Sequence, residues 1–227
     1  MVRAAALADA GCESGTVVVA EEQTGGQGRH GRSWHSEKGA GLYMSQVFRL
    51  TFPPDTLPVV TLALGLATAE AIGQIAGIAC DLRWPNDILL GAKKCAGILV
   101  QLHDGVLIAG VGINVNHVSF PPELAGIATS LRLEIGREFS RDELLEKLVA
   151  AIEDHLRILQ RDGKEAVLSA FARSSSYVNG RRVTVDLGDN VVEGVTDGLD
   201  SHGFLHLRQN DGRRTVIFAG GVRPACS

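Results

Sequence analysis

The chain has no excess of positive charge: 22 Lys and Arg stand against 26 Asp and Glu, for a formal charge of -4. Nothing global therefore draws it to nucleic acid or to an anionic membrane, and any anion site must be local. Aromatic residues make up only 5% of the sequence, which together with the charge speaks against a nucleic-acid-binding module. Four cysteines, Cys12, Cys80, Cys95 and Cys226, fall without a CxxC pair or a Cys/His spacing that suits zinc. At 227 residues the chain is too large to need disulfide staples, so they are expected as reduced, mostly buried thiols. The longest apolar stretch, Leu57 to Ile75, is interrupted by Thr61, Thr68, Glu70 and Gln74. It falls short of the roughly 20 continuous apolar residues of a membrane span and reads as a buried helix. No targeting segment is read at the start, and the expectation is a cytoplasmic protein with no membrane contact.

What is present builds a core. Hydrophobic residues reach 45%, and a length of roughly 100 to 200 residues per domain allows one large domain plus a small one. An alanine-rich helix is expected over Val2 to Ala10, a buried strand over Thr16 to Ala20, a glycine-rich loop over Gln23 to Ala40 and a strand over Gly41 to Leu50. After the apolar helix come strands near Ala79 to Arg83, Cys95 to Leu102 and Val106 to Ile113, the last two joined by the hairpin turn Asp104-Gly105. Ser140-Arg-Asp-Glu143 has capping-box spacing. Behind it Leu144, Leu145, Leu148, Ile152, Leu156 and Leu159 recur at helical spacing until Gly163. A helix over Lys164 to Arg173 follows. The texture then changes to short alternating runs at Val183 to Leu187, Val191 to Val195, Phe204 to Leu207 and Thr215 to Phe218, separated by Gly188-Asp189-Asn190 and Asn210-Asp211-Gly212. The expected fold class is α+β: a mixed, largely antiparallel sheet packed with helices over residues 1–175, then a small SH3-like β-barrel over 176–227.

Three islands carry chemistry. Gly26-Gln-Gly28-Arg-His-Gly31 matches G-x-G-x-x-G after a strand. It opens no helix and no βαβ series follows, so a dinucleotide fold is refused. Its glycines would let backbone N–H groups approach a ligand while Arg29 and Arg32 add charge, which suits phosphate or carboxylate oxygens; alone, a mobile surface loop with solvated arginines fits too. Trp34 could cover a flat ligand such as a purine, or sit in the core. In Arg83-Trp84-Pro85-Asn86-Asp87 a proline turn presents an amide and a carboxylate, suited to a metal-bound phosphate or simply to turn chemistry. Lys94 precedes a strand containing Gly97. Gly110-Val-Gly112-Ile-Asn114-Val-Asn116 places glycines within a strand, a mark of close backbone approach. Asn114 and Asn116 could read a polar edge or cap a turn.

In this order and spacing the islands resemble the biotin protein ligase family, whose signature G-R-G-R-x-G-R is followed by W-P-N-D, K-x-x-G-I-L and G-x-G-I-N. Here they stand as Gly26 to Arg32, Trp84 to Asp87, Lys94 to Leu99 and Gly110 to Asn114, and the tail after Tyr177 looks like the family's C-terminal domain. The resemblance implies a synthetase-like fold shared with lipoate ligases, and ATP and biotin as substrates with Mg2+. It implies activation of biotin as biotinyl-adenylate and transfer to a lysine on the biotin carboxyl carrier protein of acetyl-CoA carboxylase or a related carboxylase. Arg29 and Lys94 would be the catalytic cations. Gln23, Gly26, Gln27 and Gly97 map with them to the biotin site. Gly28, Arg32, Trp34, Asn86, Asp87, Gly112 and Asn114 map to ATP or the adenylate, with Asp87 also a metal candidate. Family members are often homodimers.

Three departures accompany the resemblance. Gln27 replaces the first arginine of the signature, for which tuning of the loop is expected. The family places a strand and a Ser-Thr-Asn-like segment before the first helix, whereas this sequence begins at that helix. Part of the biotin pocket is thus expected to be missing from it or supplied by another element. No helix-turn-helix precedes the core, so repression of the bifunctional kind is not expected. The competing readings are a lipoate or octanoate protein ligase and a ligase-like chain with reduced activity.

Overall fold

The computed structural model describes residues 1–49, 52–188 and 190–225; Leu50, Asp189 and Cys226, which figure in the expectations above, lie outside them. In chain order the elements are α1 (Val2–Asp9), β1 (Val17–Ala20), β2 (Gly41–Phe48), α2 (Leu57–Ala76), β3 (Asp81–Arg83), β4 (Asp87–Leu90), β5 (Lys93–His103) and β6 (Val106–Asn114). Then come α3 (Pro122–Ala125), α4 (Leu131–Ile135), α5 (Arg141–Asp162), α6 (Lys164–Arg173), β7 (Asn179–Asp186), β8 (Val191–Leu199), β9 (Leu205–Arg208), β10 (Arg214–Ile217) and β11 (Gly221–Pro224).

Six strands form the first sheet in the order β1-β2-β6-β5-β4-β3. Every neighbouring pair is antiparallel, where a mixed sheet was expected; the parallel contact found among the described residues is the isolated bridge of Lys94 with Ala128. Alternation along β2 and β6 sends Leu42, Met44 and Phe48, and Leu107, Ala109, Val111 and Ile113, into the main core. The opposite face receives α1, whose Ala4 and Ala8 pack on Val47 and Ile108. Asp104 (φ 45) and Gly105 (φ 80) both take positive φ in the β5–β6 turn, the backbone that a two-residue hairpin demands.

α2 is long and apolar enough to cross a membrane by length and composition, yet it is the central core helix, with Val59, Val60, Leu62, Ala63 and Leu64 fully buried. In α5 the Ser140 hydroxyl accepts the Glu143 N–H at 3.2 Å, and Leu144, Leu148, Ile152, Leu156 and Leu159 form the buried stripe. β1, expected as a buried strand, is an edge strand paired with β2, and Val19 is exposed. A β-branched run signals an extended backbone but not the strand's place in the sheet. The second sheet is antiparallel in the order β10-β9-β8-β7-β11, and no pairing between β10 and β11 closes it among the described residues.

Candidate functional site

Strand register lays out one row of residues across the first sheet. Arg83 pairs with Asp87, Asp87 with Gly97, Gly97 with Gly112 and Gly112 with Tyr43. Directly opposed residues point to the same face, here the one turned away from α2. The row is charged at one end, bare in the middle and phenolic at the other.

At the charged end Lys94 Nζ lies 2.5 Å from Asp87 Oδ1, and Arg83 donates from Nη2 (2.8 Å) and Nε (3.2 Å) to Oδ2. Burial alone would raise the Asp87 carboxyl; Lys94 and Arg83 outweigh it and hold the group below its usual value. Lys94 is fixed through its backbone, its N–H donating to Ile127 O at 2.8 Å and its carbonyl accepting from Thr129 N at 2.9 Å. Arg29 reaches over from the loop, its Nη1 3.5 Å from Asn86 Oδ1. Burial lowers its pKa, with the Asp87 charge working the other way. Asn86 is clamped to β5, donating Nδ2 to Ile98 O and accepting Ile98 N on its carbonyl, each at 2.9 Å.

The bare middle is covered by the Trp34 indole. A Cβ on Gly112 would stand 2.7 Å from Trp34 Cε2, and one on Gly97 3.0 Å from Trp34 Cζ3, so only glycine admits this approach. Lys94 Nζ sits 5.2 Å from the centre of the indole. Two polar atoms here are buried without partners, Trp34 Nε1 and Asn114 Oδ1, while Asn114 Nδ2 donates to Thr129 O at 3.0 Å.

The loop itself is a tight hairpin. Trp34 N donates to Gly26 O at 2.9 Å and Gly28 N to Arg32 O at 2.6 Å, with Gln27 bridged to Ser33. The Gly28 N–H expected to face a ligand is thus engaged within the loop. Gly26 has its own reason to lack a side chain, since a Cβ would meet Trp34 O at 2.7 Å. Gln23 N donates to Ser36 Oγ at 2.8 Å, and Gln27 is exposed. Arg32 is drawn away from Arg29 to Asp186 of β7, at 3.0 Å. Asn116 is structural, bonded twice to the Phe139 backbone.

Two groups of residues escaped the sequence reading. Arg83, quoted only as the start of its island, is the second cation on Asp87. At the phenolic end, Tyr43 Oη accepts Glu37 N at 3.0 Å, lies 3.3 Å from Glu37 O and 3.3 Å from His117 Nε2. His117 is fully buried and stacks on Phe120, ring centres 5.1 Å apart, with His35 at 5.9 Å. Burial, then the neighbouring His35, pushes His117 down to about 4, and burial raises Tyr43, which keeps its proton. No sequence spacing could flag a cluster assembled from positions 35, 37, 43 and 117. A cavity of about 330 Å3 lies beside it, lined by Ser33, Trp34, His35, Ser36, Glu123 and Leu124.

The Biotin/lipoate A/B protein ligase family pattern matches residues 6–117, and that of the biotin protein ligase C terminal domain matches 179–220. The Mycobacterium tuberculosis biotin–acetyl-CoA-carboxylase ligase is 35% identical over 228 residues, covering 98% of this chain and 82% of the relative. The Bacillus subtilis bifunctional ligase/repressor BirA is 34% identical over 220 residues, covering 94% of this chain and 67% of the relative. Among solved structures, the Aquifex aeolicus biotin protein ligase in complex with biotin and ATP superposes with a TM-score of 0.85 at 31% identity, covering 94% of this chain and 91% of that one.

Proposed function

The chain belongs to the biotin protein ligase family, and on that premise we propose that it activates biotin with ATP and joins it to a lysine of an acceptor protein. In the first step a biotin carboxylate oxygen bonds to the α-phosphorus of ATP and pyrophosphate leaves. In the second the acceptor amine bonds to the acyl carbon and AMP leaves. Both steps gather negative charge on oxygens that must be brought together, so placement and fixed cations are what the protein has to supply. Lys94 and Arg29 are the cations for the carboxylate and α-phosphate. Gln23, Gly26, Gln27 and Gly97 belong to the biotin side; Gly28, Arg32, Trp34, Asn86, Asp87, Gly112 and Asn114 belong to the adenylate side. The unpartnered Asn114 Oδ1 is an acceptor suited to an exocyclic amine of the base.

Magnesium does not fit Asp87 in this arrangement, because Lys94 and Arg83 hold both carboxylate oxygens; no step is assigned to a protein-held ion. An ion accompanying the ATP phosphates agrees better with magnesium's habit of few protein ligands. The acceptor proposed is the biotin carboxyl carrier protein of a carboxylase, and the setting the cytoplasm. Residues 1–175 form the catalytic unit and 176–227 a unit of SH3-like descent, and homodimerisation is a family habit to be tested.

The observation carrying the reading is the glycine floor of Gly97 and Gly112, flanked by Lys94 and Arg29. Biotin-dependent exchange of pyrophosphate into ATP tests it, with lipoate and octanoate as controls. Exchange with biotin alone is expected, and Arg29→Ala or Lys94→Ala should slow it ~10²- to 10³-fold. Undiminished exchange in both variants removes their roles, and exchange with lipoate but not biotin removes the substrate.

A further inference from the structure

The phenolic end of the row leaves one buried ring nitrogen, His117 Nδ1, without a hydrogen-bond partner. Tyr43 Oη has one proton and two lone pairs. It accepts the Glu37 N–H, and its proton has the Glu37 carbonyl to go to. With the Tyr43 proton assigned to the Glu37 carbonyl, the remaining lone pair accepts from His117 Nε2, the tautomer in which that nitrogen carries the ring proton. In that tautomer His117 Nδ1 is a bare lone pair, and in either tautomer it is fully buried and without a hydrogen-bond partner. A buried acceptor left unsatisfied costs about 1 to 3 kcal/mol.

His35 and Glu37 stand beside it: the three residues offer ligand atoms all within 4.8 Å of one another. We propose that His35, Glu37 and His117 form a binding site for one divalent transition-metal ion of the zinc class, with Tyr43 orienting His117. Two imidazoles and one carboxylate suit zinc better than magnesium or calcium, which prefer oxygen ligands alone. A metal-bound histidine ordinarily has its second nitrogen hydrogen-bonded, as His117 Nε2 is. Tetrahedral zinc places ligands about 2.1 Å away, hence about 3.4 Å from each other, so the site must contract; Glu37 is exposed and His35 half-buried, and both are free to close on the fixed His117. The ion would fasten the segment after Trp34 to the end of β6.

Zinc titration of the metal-free full chain by calorimetry tests this, with cobalt as an optical probe of tetrahedral coordination. One ion per chain is expected, abolished by His35→Ala and weakened by Glu37→Gln. Tyr43→Phe should weaken it ~10- to 100-fold, the usual effect of losing an orienting partner. His103→Ala, at the exposed grouping of Asp9, His103 and Asp104, should leave it unchanged. Absence of binding to the parent chain, or binding that survives both His35→Ala and Glu37→Gln, overturns the proposal. Neither biotin nor ATP is present, so this outcome is independent of the ligase reading.

Discussion

Gly112 shows how much a single residue decides here. Its partners across the sheet are Gly97 on one side and Tyr43 on the other, and the indole of Trp34 occupies the space a side chain would take. Gly112→Ala puts a methyl group 2.7 Å from Trp34 Cε2, closer than any stable contact, and strand backbone cannot yield. Trp34 must lift off the floor. The expected result is a rise in KM for biotin or ATP of ~10-fold or more in the exchange assay, about 1.4 kcal/mol per factor of ten, with the global unfolding midpoint little changed. An unaltered KM would mean that the floor is not where substrate lies.

At the scale of the element, the loop from Gln23 to Ala40 is the part whose chemistry must change on binding. In this structure Trp34 covers the glycine floor, and any ligand lying on that floor must displace it. Only two tryptophans are present, and the other, Trp84, is buried with its Nε1 donating to Gly203 O at 2.8 Å. Biotin with ATP should therefore change tryptophan emission, and Trp34→Phe should abolish the change; a change that persists would assign the motion to Trp84. The long, patterned elements were legible in the sequence: α2, α5 with its Ser140 cap, α6 and the β5–β6 hairpin all lie where periodicity and turn residues put them. β4, β11, α3 and α4 were missed, being four or five residues long, too short to show a period. The site was legible in its cations and glycines. What it lacked was the tight β3–β4 pairing that sets Arg83 on Asp87 four residues on, and the approach of His35 to His117, which depends on how segments distant in sequence pack.

At the scale of the molecule, the second sheet shares the core of the first. Val183, Val185, Leu205, Leu207, Ile217 and Val222 belong to the same buried cluster as Leu62 and Phe171, so the boundary proposed near residue 175 does not divide two cores. Gly203, between β8 and β9, is one joint between the second sheet and α2. Its φ is +83, and a Cβ there would lie 3.2 Å from Leu62 and 3.4 Å from Val59 in α2, while its carbonyl receives the Trp84 indole. Gly203→Ala combines a strained backbone with a crowded contact, for an expected loss of about 1 to 3 kcal/mol. Trp84 bonds to Gly203 itself, so the comparison is made in a Trp84→Phe background, where the emission of Trp34 reports the first sheet while far-UV circular dichroism reports the whole chain. If the core is continuous, urea unfolding of Gly203→Ala shifts to lower concentration by both signals together, as a single cooperative transition requires. A fluorescence transition left in place while part of the dichroism melts early would show that the two sheets unfold independently.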